Sequence, residues 1–221
     1  MNLEARTSGQ IEALLTKTVR DKLANYSPET NSMPFHHRLL GKDRYAMFSF
    51  MHSMNTTFGM CIWEQVAFIL ARSAGFGAER QFKLYGDIDT GTQQLIDQML
   101  YDLRAGTGNT GRAAQTAAIR SSVKKGSPKK HPDSVVDLFV KKGASECYFD
   151  ITGAKPSMKD FQALKRKLLT WEALRLSADC NATVLTALAI PYNPYHPAPY
   201  ERWTLKGLYD LQHDEVMVGS D

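Results

Sequence analysis

Two acids stand in the middle of two strand-like runs. Between Pro132 and Lys155 the chain reads PDSVVDLFVKKGASECYFDITGAK, apolar stretches centred on Asp137 and Asp150 and joined by the turn residues Lys141, Lys142, Gly143 and Ala144. Carboxylates converging from adjacent strands suit a hard divalent cation, because Mg²⁺ takes oxygen ligands and keeps open positions for water and phosphate. Asp137 and Asp150 are therefore candidate metal ligands, and the chemistry they point to is metal-dependent hydrolysis of a phosphodiester.

Strand alternation puts Tyr148, Asp150, Thr152 and Ala154 on one face and Phe149, Ile151 and Gly153 on the other. Nucleases built on such a pair of strands carry a lysine two positions after the second acid, and here that position is Thr152. A threonine hydroxyl can hold a water but brings no positive charge. Lys155 is the nearest lysine; it has the wrong strand parity, which a bulge at Gly153 or an early strand end would relax. A third acid, Glu64, is the only formally charged side chain between Tyr45 and Ala71. Burying it is costly unless it is paired or holds a metal, so it is read as an auxiliary acid aimed at the strand pair. The six histidines show neither metal-ligand spacing nor a partnered Ser or Cys, which argues against a zinc enzyme or a hydrolase triad.

The elements that must position these groups follow from periodicity. Apolar residues at helical spacing over 9–25 predict an amphipathic helix ended by Tyr26-Ser27-Pro28. A long Met- and Phe-rich helical region follows over 43–74, with a break expected near Asn55–Gly59 where helix propensity falls. A short strand is expected at 80–85, helices at 92–103, 112–123 and 158–178, and a buried strand at 182–190. Gly106–Gly111 lacks the Gly-Lys-Ser/Thr of a phosphate loop and follows a helix, so it is read as a flexible loop. The alternation implies a central mixed sheet flanked by helices. With 221 residues, one domain is expected, helical over about 1–105 and with a catalytic sheet core over about 130–205.

On the last helix Phe161, Leu164, Leu168 and Trp171 form an apolar stripe, and Lys159, Gln162 and Arg166 lie elsewhere on its surface, candidates for phosphate contact near the catalytic strand end. Lys165 and Lys167 are read as backbone contacts or solvated charges. After it, four prolines within 191–199 require an extended aromatic loop, whose Asn193, Tyr195 and His196, with nearby Tyr200 and Arg202, are candidate DNA contacts together with the polar loop at 106–112. A net charge of +4, concentrated around the strand pair, fits a polyanionic partner. Three dispersed cysteines, no apolar leader and an interrupted apolar stretch at 45–71 lead to the expectation of a soluble cytoplasmic protein without a membrane span.

Taken together, PFHHRLLG (34–41), SMNTTFGMCIWEQVAFILA (53–71), PDSVVDLFV (132–140), ECYFDITGAKPS (146–157), LKRKLLTWEALRL (164–176) and IPYNPYHPAPYERW (190–203) resemble, in order and spacing, the TdeIII family of type II restriction endonucleases. That resemblance implies a restriction-endonuclease-like PD-(D/E)XK fold, Mg²⁺-dependent cleavage of double-stranded DNA at a GGNCC-like pseudopalindrome, and a homodimer to match it. By the same resemblance the helix acid falls on Glu64 and the strand acids on Asp137 and Asp150, while Thr152 departs from the family's lysine and Lys155 matches a second one. A non-catalytic DNA-binding protein on this scaffold, or a repair nuclease without sequence specificity, are the alternatives.

Overall fold

A computed structural model describes residues 4–28, 34–125 and 129–219, in two compact units, Met1–Ser73 and Ala74–Asp221. The first unit is helical: α1 (Ala5–Asn25), α2 (Pro34–Leu40), α3 (Lys42–Thr57) and α4 (Trp63–Ser73). Gly41, at φ +75°, makes the left-handed step between α2 and α3 that a side chain would resist. Tyr26, just past α1, meets Phe50 of α3 edge-on with ring centroids 5.2 Å apart. The expected break near Asn55–Gly59 is not a break. The helix runs on through a π-helical turn, Phe58–Ile62, so the weak propensity of Asn55, Thr56, Thr57 and Gly59 widens the helix instead of ending it. Glu64 follows immediately, in the first turn of α4, and is 5% exposed.

The second unit is a five-stranded mixed sheet with helices: β1 (Gly77–Gly86), α5 (Thr90–Ala105), α6 (Arg112–Ser122), β2 (Lys129–Lys142), β3 (Ser145–Ile151), α7 (Met158–Ala178), β4 (Thr183–Ile190) and β5 (Val216–Val218). The strands lie in sequence order; β2 pairs antiparallel with β1 and with β3, and β4 pairs parallel with β3 and with β5. Gly143, at φ +60°, closes the β2–β3 hairpin. The parallel β3–β4 pair needs a crossover, and α7 supplies it. Ser157 and Asp160 start α7 with a reciprocal capping box, each side chain taking the other's backbone N–H at 3.2 and 2.8 Å.

α7 packs over the sheet, burying Phe161, Leu168, Trp171 and Leu174 completely. α7 meets β1 tightly at Gly86, where a Cβ would stand 2.3 Å from the Leu174 carbonyl oxygen. Beside this apolar stripe α7 meets α6 through polar groups. Lys165, with no exposure at all, donates to Gln115 of α6 at 2.8 Å and is ion-paired to Glu215, just before β5. Two turns further on, Glu172 accepts from the Thr116 hydroxyl. Gly111 provides no side-chain cap for α6; the Arg112 N–H donates instead to Asp210, 98 residues away, at 2.9 Å.

Burial pushes the Glu172 carboxyl up to about 7, against the Thr116 hydrogen bond and the Lys165 charge, which pull it down. Because the folded form holds its proton to a higher pH than the unfolded chain, Glu172 makes stability fall as pH rises from about 4.5 to about 7, by up to about 3 kcal/mol. Glu172→Gln is therefore expected to gain stability relative to the parent across that window. Urea unfolding of both chains at pH 5, 6, 7 and 8 checks this, and parallel curves would mean that Glu172 titrates as an ordinary glutamate.

Candidate active site

The β2–β3 ladder ends at Leu138 opposite Phe149, and the next position along each strand carries Asp137 and Asp150. Asp137 accepts from the Ile151 N–H at 2.8 Å, which locks its carboxylate at the β3 end beside Asp150. Asp150 is only 3% exposed, so its charge is nearly withdrawn from water and must be met by a cation or a proton.

The cation comes from α7. Lys167 is ion-paired with Asp150 and lies 4.0 Å from Asp137, so one ammonium faces both carboxylates. Its Nζ also sits 4.9 Å from the centre of the Trp171 ring, one helical turn on. Trp171 in turn donates its indole N–H to the Asp133 carbonyl at 2.7 Å and so ties the lysine's helix to the start of the strand bearing Asp137. Burial alone would depress the Lys167 ammonium; the Asp150 and Asp137 charges outweigh it and move it above the usual lysine range. The site therefore keeps a permanent cation between its two acids.

This donor set fits Mg²⁺. Two hard oxygen ligands from the protein, with the rest of the shell left to water and phosphate, is how Mg²⁺ is commonly held, whereas structural zinc asks for four N or S donors. Among the described residues no group of three or more His, Cys, Asp or Glu forms a closed metal cage.

The other expected residues fall elsewhere. Lys155 is exposed, and its ammonium rests 5.0 Å from the centre of the Tyr195 ring in the 191–203 loop. The Thr152 N–H donates to the Ala189 carbonyl at 3.0 Å, which extends the β3–β4 pairing past the end of β3. Arg166 pairs with Asp97 of α5, Lys159 is exposed and Gln162 half-buried. Asn193 spends both ends of its amide inside its own loop, donating to the Ala198 carbonyl at 2.7 Å and accepting from the Tyr195 N–H at 2.9 Å. Arg202 stacks over Phe161, 5.5 Å from the ring centre, and His196 is exposed. Gly106 ends α5 in the left-handed conformation, and the Gly108 backbone sits so close to Leu103 that a Cβ there would stand 2.6 Å from its nitrogen. Glu64 belongs to the first unit.

Lys167 is the residue the sequence reading missed. Treated alike there, Lys165 and Lys167 stand two positions apart on a helix, about 200° around its axis, so they point to opposite sides. One is buried against α6 and the other faces the strand acids, and that angular difference was the available signal.

The family model of the type II restriction endonuclease HinfI matches residues 3–221. The chain belongs to this family. The match spans both units, and the mixed sheet with its helices and paired strand acids is the PD-(D/E)XK-like core of such an enzyme. Membership of the HinfI family meets the restriction-endonuclease expectation at that level; the narrower likeness to TdeIII draws no support from it. No curated protein and no solved structure matches the chain. As a HinfI-family nuclease it acts on DNA, and among the described residues no helix is long and apolar enough to cross a membrane.

Proposed function

We propose that this chain is a Mg²⁺-dependent type II restriction endonuclease that cuts both strands of a short pseudopalindromic site as a homodimer, leaving 5′-phosphate and 3′-hydroxyl ends. The observation that carries the reading is the meeting of Asp137, Asp150 and Lys167 at the end of β3. Asp137 and Asp150 would hold the metal ion, which when bound polarises the phosphate and makes its water more acidic. Lys167 places a positive charge beside the non-bridging oxygens of a phosphate set against Asp150, where negative charge builds during in-line attack. Thr152, two residues past Asp150, offers a hydroxyl to orient water. A two-fold symmetric target needs two such sites, hence two copies of the chain.

Digestion of a mixed-sequence plasmid with Mg²⁺ tests this. The parent chain is expected to give discrete fragments, and Asp150→Asn to lose at least about 10³-fold in rate, about 4 kcal/mol of transition-state stabilisation. Thr152→Lys should bring no gain, because Lys167 already supplies the charge. Cleavage that appears only with Thr152→Lys would sink the role given to Lys167, and a smear in place of bands would mean a nuclease without sequence specificity.

A further inference from the structure

The 191–203 loop is more ordered internally than its proline content requires. Besides the Asn193 brace, the Tyr200 hydroxyl donates to the Ala154 carbonyl at 2.9 Å, the Tyr195 and Tyr200 rings pack at 5.8 Å, and Lys155 lies on Tyr195. Its root is held as well: the Gly219 N–H donates to Ile190 at 2.8 Å, and a Cβ on Gly219 would stand 2.2 Å from the Pro191 carbonyl oxygen. Yet Trp203 is 73% exposed, the most open large apolar or aromatic side chain among the described residues, and Tyr192 is 45% exposed. A rigid loop that holds an indole out in water is unfavourable for the chain alone; such pre-organisation lowers the entropy lost when a partner binds.

We propose that this loop is a prebuilt arm lying against double-stranded DNA beside the cut, with Trp203 as its stacking residue and Asn193 as its internal brace. The inference rests on reading Asp150 as part of the phosphodiester site. Ala154, where Tyr200 is anchored, is four residues past Asp150 and hence at most about 14 Å from it. At about 3.4 Å per base step along a strand, a phosphate at Asp150 puts roughly four neighbouring steps within that reach. The charges around the arm, Lys155, Arg202 and Lys206 against Glu201, favour a polyanion over a second copy of this basic chain. Tyr195 and Asn193, which sequence suggested as base readers, are engaged within the arm, and Trp203 is the aromatic side chain it holds furthest open to face DNA.

The test uses a duplex selected from random sequence for binding to the full chain, with 2-aminopurine placed at successive positions. With the parent chain, fluorescence is expected to rise at one step, within about four base pairs of any cut that Mg²⁺ produces. Trp203→Ala should abolish the rise and weaken binding about ten-fold or more, while Trp203→Phe keeps most of both. Asn193→Ala should weaken binding with Trp203 intact, and unfolding of all three variants should match the parent. If Trp203→Ala binds like the parent, or if it alters only sedimentation, the arm is overturned, the latter outcome making the face a contact between copies. Failure to select any duplex overturns it too. Should the Trp203 effects appear without cleavage, the arm stands and the hydrolytic reading falls.

Discussion

Lys167→Ala is expected to slow single-turnover cleavage by about 10²–10³-fold while leaving DNA affinity within a few-fold of the parent. The argument is electrostatic. Lys167 is the cation that the structure places against both strand acids, and at 3% exposure Asp150 has little water to replace it. Removing it leaves two carboxylates side by side with nothing between them, so the variant should also unfold at a lower temperature without divalent ions and recover when Mg²⁺ is added. Lys167→Arg keeps the charge but replaces a compact ammonium with a planar fork, and is expected to retain an intermediate rate. Unchanged cleavage in Lys167→Ala would reduce this lysine to a counter-ion of the metal-free site.

Two positions earlier on the same helix the expected effect is on stability. Lys165→Met should cost about 3–5 kcal/mol, because it leaves Glu215, at 1% exposure, without its cation in the interior. Burial pushes the Lys165 ammonium down, and Glu215 is the leading influence holding it up. Replacing both partners with apolar side chains, Lys165→Met with Glu215→Leu, removes the charge and its partner together and should recover much of the loss. Urea unfolding of the two variants and the parent decides it: a Lys165→Met chain within 1 kcal/mol of the parent would mean that the pair contributes little.

These lysines also show where sequence reasoning reaches and where it stops. Asp137 and Asp150 were legible because a hairpin is local: alternation and a glycine turn suffice to put two acids side by side. The helix over 158–178 was legible from its stripe, and the strand at 182–190 from its β-branched run. Thr152 marked a position without the expected charge, but finding Lys167 beside the two acids required knowing which side of α7 faces the sheet, a tertiary fact. For the same reason Lys165 was read as a backbone contact or a solvated charge. The weak helix at 112–122 is capped by Asp210, a partner no local window contains.

The π-helical turn at Phe58–Ile62 bears on how this family tolerates insertions and deletions. A π turn carries one residue more than the α-helical turn it replaces. Deleting one residue there would restore a regular α-helical turn and leave the start of α4, Glu64 included, facing the same way relative to α3, because the π turn takes up the extra residue within a single turn. Homologues that differ in length by a single residue at this point would thus keep the same side of the following helix inward, the difference being absorbed inside the helix with no loop altered.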